Sequence, residues 1–576
     1  MRTHAEELKL SEDTKRELAA KTWKYTQNYT QGDNTMRQSK TQRILLGVVF
    51  GLCATMATAA SAPIPSDIVK SSNGAVRGLI EDNGVAVFKG IRYGASPTEA
   101  RRFLPPTLPE AWYEVADATN FGAPAMQIYA RTSVASDFGL QLATIFTTRS
   151  DMKIDNEDCL FLNVWTPDTD DKKRPVMVWL HGGGYAYGSG AWPVYDCARL
   201  ANKGDVVVVT VNHRLNVFGY LHLPEVAGEA YAHSGNAGML DIVLALEWVR
   251  DNAAAFGGDP GNVTIMGESG GGSKVSHLLA MPSAAGLFHR AIIQSGPGLT
   301  GIPAQVATKA ANSILAELGI DKDNLVLLQQ LPAQKILDAV QSATAKAGGG
   351  FAGLRLAPVV DGDVLPRDPF TPTAPEVSRD VPILIGWNKD EMTIFNTSAP
   401  WFGSLTDDQL PGRVKMVVGE KANALLAVYR DMYPDYSPSY TLNAIIGDNR
   451  MFNGSVTLAE RKAAQNAAPV YQYYLTWETP VANGVLKSPH TLDIPFMFNN
   501  VDLAVALTGD SAEARSLEHQ MSSSWIAFAR SGNPNNKAVP NWPAYDTNRR
   551  AAMVFNVEAH VVNDPLADVR RILQGD

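Results

Sequence analysis

Cysteine is scarce in this chain: its 576 residues include Cys53, Cys159 and Cys197 and no others. Three cysteines cannot build the disulfide framework of a small secreted domain, and we expect Cys53 to lie in a segment that is removed. The fold must therefore be stabilised by its hydrophobic core rather than by disulfide bonds.

Clusters of positive charge and long linkers are also lacking. The net charge is −9, and no run of lysine or arginine is longer than the three residues at 172–174. Nucleic acid is not an expected partner, since its binding requires a basic patch or stripe. Because no proline-, glycine- or serine-rich linker and no repeat interrupts residues 63–576, we predict a single large α/β domain there.

Residues 36–62 have the layout of a secretory signal peptide. A start with three basic residues precedes an apolar run from Ile44, and small residues follow the run. The run is shorter than the roughly 20 residues of a membrane-spanning helix, which argues against a permanent anchor. We expect translation to begin at Met36, so that residues 1–35 are an untranslated polar extension. The mature protein is then expected to be secreted or periplasmic, without a stable membrane anchor.

Short apolar runs rich in β-branched residues alternate with helical patterns along the chain. The clearest helical pattern covers residues 238–256, and residues 74–94 are typical of an antiparallel hairpin around Asn83-Gly84. This alternation indicates an α/β fold: a large, mostly parallel central sheet with helices on both faces and helical insertions. The predicted strands cover residues 160–167, 175–180, 206–211, 263–266, 291–294, 382–386 and 470–476, and the insertions cover 305–345 and 404–465.

The sequence GESGG at residues 267–271 follows a β-rich run and has the Gly-x-Ser-x-Gly pattern of a nucleophile elbow. In such an elbow Ser269 is held on a strained turn between a strand and a helix, and residues as small as Gly267 and Gly271 let the backbones pass closely. An ordinary glycine-rich turn would give the same pattern, so the assignment depends on partners for the serine elsewhere in the chain.

A second glycine-rich loop, HGGG at residues 181–184, directly follows the predicted strand at 175–180. Esterases use such a loop to supply backbone N–H groups to an oxyanion. A phosphate-binding loop is less favoured, because no lysine-serine pair follows. Together with Gly270, the residue after the serine, this loop can supply three N–H donors.

His490 is the histidine that best fits a catalytic base. In hydrolases with this elbow the acid and the histidine follow the serine in the chain, and His490 lies in a proline-marked loop before an apolar helix start. The other histidines after Ser269 fit packing or surface positions better: His277, His289, His519 and His560.

Two acids end the predicted strand ILIGWNKDE, Asp390 and Glu391. A carboxylate at this position could orient an imidazole. The spacing does not choose between the two residues, and Asp361 or Asp363 remain possible.

Taken together, these motifs resemble the type-B carboxylesterase/lipase family, the cholinesterase-like branch of the α/β-hydrolases, and in particular its secreted bacterial members. The resemblance extends from about residue 74 to about residue 555. It is carried by VAVFKGIRYG, RRFLPP, EDCLFLNVWTP, VMVWLHGGGY, VTIMGESGGG, AIIQSG, ILIGWNKDE, HTLDIPFMF and WIAFARSGNPN.

The resemblance implies an α/β-hydrolase fold and a role for each matching residue. Asp158 and Arg102 match structural charges, and Glu268 matches a buried glutamate that tunes the site. No metal or cofactor is implied. The implied catalytic residues are Ser269 as nucleophile, Glu391 as acid and His490 as base, with Gly183, Gly184 and Gly270 as the oxyanion hole.

The implied function is that of a serine carboxylesterase, which hydrolyses esters through an acyl-enzyme on Ser269. Its expected substrate is a small to medium ester, or a xenobiotic or natural-product ester. A lipase acting on long acyl chains is one alternative. A catalytically inactive cholinesterase-like binding or adhesion protein is the other, and the intact Ser269, Glu391 and His490 argue against it.

The chain departs from the family pattern at three places. Gly270 stands where alanine is usual, although its N–H remains. Cys159 matches a half-cystine whose partner position is Ala125, so we expect no bridge and a buried thiol at Cys159. The loop at 128–156 has no tryptophan where cholinesterases carry a cation-binding one, so a choline ester is not expected. We expect this loop and the insertions at 345–353 and 396–412 to shape the mouth of the site.

Overall fold

The computed structural model describes residues 63–128, 144–146, 154–348 and 353–575. The predicted extension and signal peptide, residues 1–62, lie outside the described residues. The chain from Pro63 onward forms one compact unit. No helix within the described ranges is long and apolar enough to cross a membrane.

The strands are short, as is typical of a globular α/β protein. They are β1 Ile64–Lys70, β2 Ala75–Ile80, β3 Ala86–Arg92, β4 Ala116–Asp117, β5 Phe161–Thr166, β6 Arg174–Leu180, β7 Val207–Val211, β8 Gly258–Glu268, β9 Arg290–Gln294, β10 Ile302–Pro303, β11 Val359–Val360, β12 Ile383–Asn388, β13 Val470–Leu475, β14 Ala551–Phe555 and β15 His560–Asn563.

Helices fill most of the connections between these strands. They are α1 Ala198–Gly204, α2 Asn216–Tyr220, α3 Pro224–Ala227, α4 Ala237–Asn252, α5 Gly270–Leu278, α6 Ala304–Leu318, α7 Val326–Gln330, α8 Ala333–Lys346, α9 Thr393–Asn396, α10 Leu410–Val418, α11 Ala422–Met432, α12 Pro438–Gly447, α13 Asn453–Ala463, α14 Asp493–Phe498, α15 Val505–Thr508, α16 Ala512–Ser531 and α17 Ala567–Gln574.

Thirteen of the described strands form one sheet, in the order β1-β2-β3-β5-β7-β6-β8-β9-β12-β13-β14-β15, with β4 beside β2. The strands from β7 to β14 in this order run parallel to one another, and the strands at either edge pair antiparallel. The carboxyl ends of parallel strands meet at one edge of a sheet, where active-site loops gather.

The central strand β6 shows how the core forms on both faces of the sheet. Because side chains alternate along a strand, Val176 and Val178 pack with α4 in one apolar cluster. Met177 and Trp179 point the other way and pack with α1, α14 and α16 in a second. The whole strand is buried, as expected for a strand covered by helices on both faces.

The fold predictions are confirmed in their main features. The hairpin forms from β2 and β3, with Asn83 Oδ1 accepting from Val85 N at 3.1 Å in the turn. The insertions are helical, as α6 to α8 and α10 to α13. Six strands lie outside the predicted set: β1, β4, β10, β11, β14 and β15. Of these, β1 and β15 are edge strands with mostly exposed side chains, so they lack the apolar run on which the prediction depended.

Cys159 and Cys197 are both buried free thiols, as expected for Cys159. Ala125 and Cys159 line the same small cavity of about 10 Å³. The two predicted structural charges are paired: Arg102 with Glu157 at 2.5 Å, and Asp158 with Arg92 at 2.6 Å.

Candidate active site

Ser269 occupies a tight turn between β8 and α5. Its backbone angles are φ 56° and ψ −120°, a strained conformation for a residue with a side chain. A Cβ atom on Gly271 would lie 2.0 Å from the carbonyl oxygen of Leu180, so only glycine fits there. Ser269 N donates to Gln294 O at 2.8 Å, which fixes the turn against β9. The side chain of Ser269 stays partly exposed, as a nucleophile requires.

The HGGG loop lies directly against this turn. It follows β6, whose last residue is paired with Gly267. The Cβ position of Gly182 is 3.6 Å from Ser269 Cβ, and that of Gly270 is 2.4 Å from Gly184 N. The structure therefore brings Gly183, Gly184 and Gly270 together beside the serine.

His490 and Glu391 meet at the same edge of the sheet, on loops after the neighbouring strands β13 and β12. His490 Nδ1 is 2.5 Å from Glu391 Oε2, and both side chains are almost fully buried. The other carboxylate oxygen of Glu391 accepts from Asn388 N at 2.8 Å. Asn388 Nδ2 donates to Pro489 O at 2.8 Å and so ties the histidine loop to β12.

The other candidate acids are bonded elsewhere. Asp390 accepts from Tyr436 OH at 2.8 Å and from Ser488 N at 3.2 Å, behind the histidine loop. Asp361 accepts from Asn236 Nδ2 at 2.8 Å, far along the chain from His490. Of the acids that spacing left open, Glu391 is the one that contacts the imidazole.

The other histidines that follow Ser269 in the chain lie in packing or surface positions. His277 is buried, with Nδ1 2.7 Å from Ser273 O, and His289 Nδ1 accepts from Val263 N at 3.1 Å. His519 is exposed beside Lys203, and His560 is exposed on β15. None of these contacts involves Ser269.

Glu268 faces the opposite side of the imidazole. Its Oε1 atom is 3.0 Å from His490 Nε2, so the ring lies between two carboxylates. The contact is a close approach of charges rather than an aligned hydrogen bond, since Oε1 lacks a hydrogen-bond partner of good geometry. Within the described residues Ser269 Oγ makes no side-chain hydrogen bond, and Nε2 faces Glu268.

These neighbours shift the ionisation of the site. Burial alone lowers the pKa of His490, but the charges of Glu268 and Glu391 outweigh it and raise the pKa to about 9. Burial raises the pKa of Glu268 to about 8, although the positive imidazolium acts in the opposite direction. Each of these two shifts depends on the charge of the other group, so the His490 imidazole and the Glu268 carboxylate titrate together.

Two buried charged residues beside this site were not predicted from the sequence. Asp493, on α14, accepts from Gln294 Nε2 at 2.8 Å and from Tyr473 OH at 2.7 Å, and burial raises its pKa. Lys274, on α5, is fully buried below the HGGG loop. Its signal in the sequence is a lone lysine among small residues in GGGSKVS.

Two aromatic side chains stand at the exposed side of the site. The ring of Phe395 is 5.3 Å from that of His490 and the residue is 50% exposed. Tyr187 is 40% exposed on the loop that continues from HGGG. Most of the predicted mouth segment at 128–156 and residues 349–352 of the segment at 345–353 lie outside the described residues, so the role of both segments stays a prediction.

A separate cavity of about 880 Å³ is lined by Glu460, Arg461 and Arg550 and by none of the residues around Ser269. Within the described ranges no group of three or more histidine, cysteine, aspartate or glutamate side chains is arranged to hold a metal ion.

The chain is similar to a known protein family, to characterised relatives and to solved structures over most of its length. The model of the carboxylesterase family matches residues 65–570. The para-nitrobenzyl esterase of Bacillus subtilis (strain 168) is 38% identical over 510 residues, which cover 88% of this chain and 98% of that protein. The phenmedipham hydrolase of Pseudarthrobacter oxydans is 31% identical over 514 residues, with 88% and 98% covered. The crystal structure of the carboxylesterase EST55 of Geobacillus stearothermophilus superposes with a TM-score of 0.76 at 38% identity and covers 88% of this chain and 100% of that one.

Proposed function

This chain belongs to the carboxylesterase family and is a carboxylic ester hydrolase with the α/β-hydrolase fold, and from that premise we propose that Ser269 is its nucleophile. The observation that carries the proposal is the position of His490. Its imidazole is held by Glu391 on one side and by Glu268, the residue before Ser269, on the other.

In the first half of the reaction Ser269 Oγ attacks the carbonyl carbon of the ester and His490 Nε2 takes its proton. Glu391 holds Nδ1, which fixes the tautomer and stabilises the imidazolium. The carbonyl oxygen becomes an oxyanion, and the N–H groups of Gly183, Gly184 and Gly270 receive it. His490 then protonates the alcohol as it leaves. A bound substrate that draws Oγ towards Nε2 replaces the contact with Glu268, since catalytic hydrogen bonds tighten in the substrate complex.

In the second half water repeats the attack on the acyl-enzyme. His490 takes a proton from the water and returns it to Ser269 Oγ as the carboxylic acid leaves. No proton is left over, because each one taken from a nucleophile is given to a leaving group.

We expect Ser269→Ala to abolish ester hydrolysis and covalent labelling by an organophosphate. Ser276→Ala is the matched control, because Ser276 lies on the same helix with its hydroxyl bonded to Gly272 O at 3.0 Å, away from the site. Esterase activity and the mass added by the organophosphate should both be lost in Ser269→Ala and kept in Ser276→Ala. Labelling that persists in Ser269→Ala would mean that another serine is the nucleophile.

For the substrate we propose a small to medium ester with an aromatic portion, of the xenobiotic or natural-product kind. The half-exposed Phe395 and Tyr187 support this, since aromatic rings next to a reactive group favour aromatic partners. The names of two relatives, a para-nitrobenzyl esterase and a phenmedipham hydrolase, point the same way. A panel of p-nitrophenyl esters from acetate to palmitate, with benzyl esters and a branched polycarboxylate ester, tests it. A kcat/KM that rises steadily towards palmitate would favour a lipase instead.

We also propose that residues 36–62 direct secretion and are removed. The support is the pattern of basic, apolar and small residues in that segment. Amino-terminal sequencing of protein from the medium or periplasm should give a start near residues 60–63. A mature protein that retains Met1 would rule this out.

A further inference from the structure

Lys274 is a buried lysine with no counter-ion among the described residues. It is the fifth residue after Ser269, it lies on α5, and its exposed fraction is 0%. Among the residues that the structure describes, no carboxylate lies within ion-pair distance of its Nζ atom. Burial lowers the pKa of Lys274 to about 7. An unpaired charge in the interior is costly, so its position calls for a specific use.

The ammonium group of Lys274 bonds to the HGGG loop. Nζ donates to His181 O at 2.9 Å and to Gly184 O at 2.9 Å. The ring of Tyr185 lies beside it, with the centroid 5.4 Å from Nζ. Both carbonyls stand outside the strand ladders and helices, and in the described part of the chain their hydrogen bonds come from Lys274.

The two carbonyls stand at the two ends of the loop. Between them are the N–H groups of Gly183 and Gly184, which the proposed mechanism aims at the oxyanion. Both glycines have positive φ, 82° and 61°. Because glycine has no Cβ atom, its backbone can leave such a conformation more easily than that of other residues unless it is held. Bonds to the carbonyls at both ends restrict that freedom.

We propose that Lys274 is the positioning residue of the oxyanion hole: by holding His181 O and Gly184 O it fixes the N–H groups of Gly183 and Gly184 towards the oxyanion on Ser269. This rests on the function proposed above. A preorganised donor stabilises the transition state without having to reorganise during the reaction. Lys274 itself does not touch the substrate, and acts through the loop.

The test is Lys274→Met, which keeps much of the side-chain volume and removes the N–H donors. We expect kcat to fall by about 10- to 100-fold and KM to stay within about twofold of the wild-type value. Removing an oxyanion donor outright costs roughly 100- to 1,000-fold in kcat, so the loss from a misplaced donor should be no larger than that. Affinity for a trifluoromethyl ketone should fall by the same factor as kcat/KM. This inhibitor forms a bond from Ser269 Oγ to its carbonyl carbon, the proton passes to His490, and the oxyanion occupies the hole. Affinity for the matching methyl ketone, which forms no such adduct, should not change.

Lys462 offers a matched control on α13, far from the site. It is 1% exposed, and its Nζ donates to Ser378 O and Arg379 O, both at 2.7 Å. Lys462→Met removes the same kind of buried ammonium from two carbonyls. It should lower the melting temperature while kcat and both inhibitor affinities stay at the wild-type values. Equal effects of the two variants on inhibitor affinity would show that Lys274 has a structural role alone.

Lys274→Gln carries the test if the methionine variant does not fold. Its amide is one bond shorter, so it reaches the loop less well, and we expect a loss of about 3- to 10-fold in trifluoromethyl ketone affinity. A folded Met or Gln variant with wild-type affinity for this inhibitor overturns the inference. Such a result, together with an inactive Ser269→Ala, would leave the proposed function standing, whereas activity in Ser269→Ala would overturn that function first.

Discussion

The carboxylate of Glu268 should control the pH at which the enzyme becomes active. As the proposed base, His490 can act only when its imidazole is neutral, and its pKa is raised to about 9 by Glu268 and Glu391 against the effect of burial. A raised pKa means that activity is lost as the pH falls through a higher value than the ordinary histidine pKa of about 6.5. Replacing Glu268 with glutamine removes one of the two charges, so the acid limb of the pH profile should move to lower pH.

The size of the shift follows from the geometry. Two unit charges about 4 Å apart interact by roughly 4 kcal/mol at an effective dielectric constant of about 20. One pKa unit is about 1.36 kcal/mol, so a fully ionised Glu268 could raise the pKa of His490 by up to about three units. The pKa of Glu268 is itself raised to about 8, so it carries part of its charge over much of this range. We therefore expect Glu268→Gln to move the acid limb down by about one to two units.

The assay is kcat/KM for p-nitrophenyl acetate from about pH 5 to about pH 10, which reports the ionisation of the free enzyme. The plateau at high pH should also be lower in Glu268→Gln, because the imidazolium formed in the transition state loses a stabilising charge. Asp390→Asn is the control, since that buried carboxylate bonds to Tyr436 and Ser488 instead of the imidazole. An acid limb that stays in place in Glu268→Gln, or moves as far in Asp390→Asn, would refute the reasoning.

Two further predictions concern the departures from the family pattern. In Gly270→Ala the new Cβ atom would lie 2.4 Å from Gly184 N, so the loop must move and kcat should fall by about 10-fold or more; a variant with wild-type kcat and inhibitor affinity would contradict this. Ala125→Cys should form a bridge with Cys159 under oxidising conditions, since the two positions line one small cavity. Closing a loop of this length should stabilise the fold by about 3 to 4 kcal/mol. The oxidised variant should therefore have a higher melting temperature and two fewer titratable thiols than the reduced variant. An unchanged thiol count would exclude the bridge.

Much of the site could be anticipated from the sequence because its parts are local. The elbow and the HGGG loop are each a strand end followed by small residues, and such patterns are visible without any long-range information. The choice between Asp390 and Glu391 was not local. Both residues follow the same strand, β12, and the path of the loop that carries His490 decides which carboxylate contacts the imidazole.

The buried charges were missed for a related reason. A lysine on a helix is usually exposed, and the pattern around Lys274 does not reveal that α5 is packed below the HGGG loop. Asp493 likewise follows a proline-marked loop, and its partners Gln294 and Tyr473 come from two different strands. Burial of a charge is a property of the assembled sheet, so neither residue could be identified before the strands were in place.

Gly270 and Lys274 both contact Gly184 of the HGGG loop. With no Cβ at position 270, Gly184 lies closer to the start of α5 than alanine would allow. Lys274 then bonds to Gly184 O from within the same helix. The close contact of the HGGG loop with α5 therefore depends on the space beside Gly270 and on the bond from Lys274 to the Gly184 carbonyl. Glycine at position 270 is therefore part of a tight arrangement, in which α5 begins at the turn of Ser269 and carries both the N–H of Gly270 and the side chain that holds Gly184.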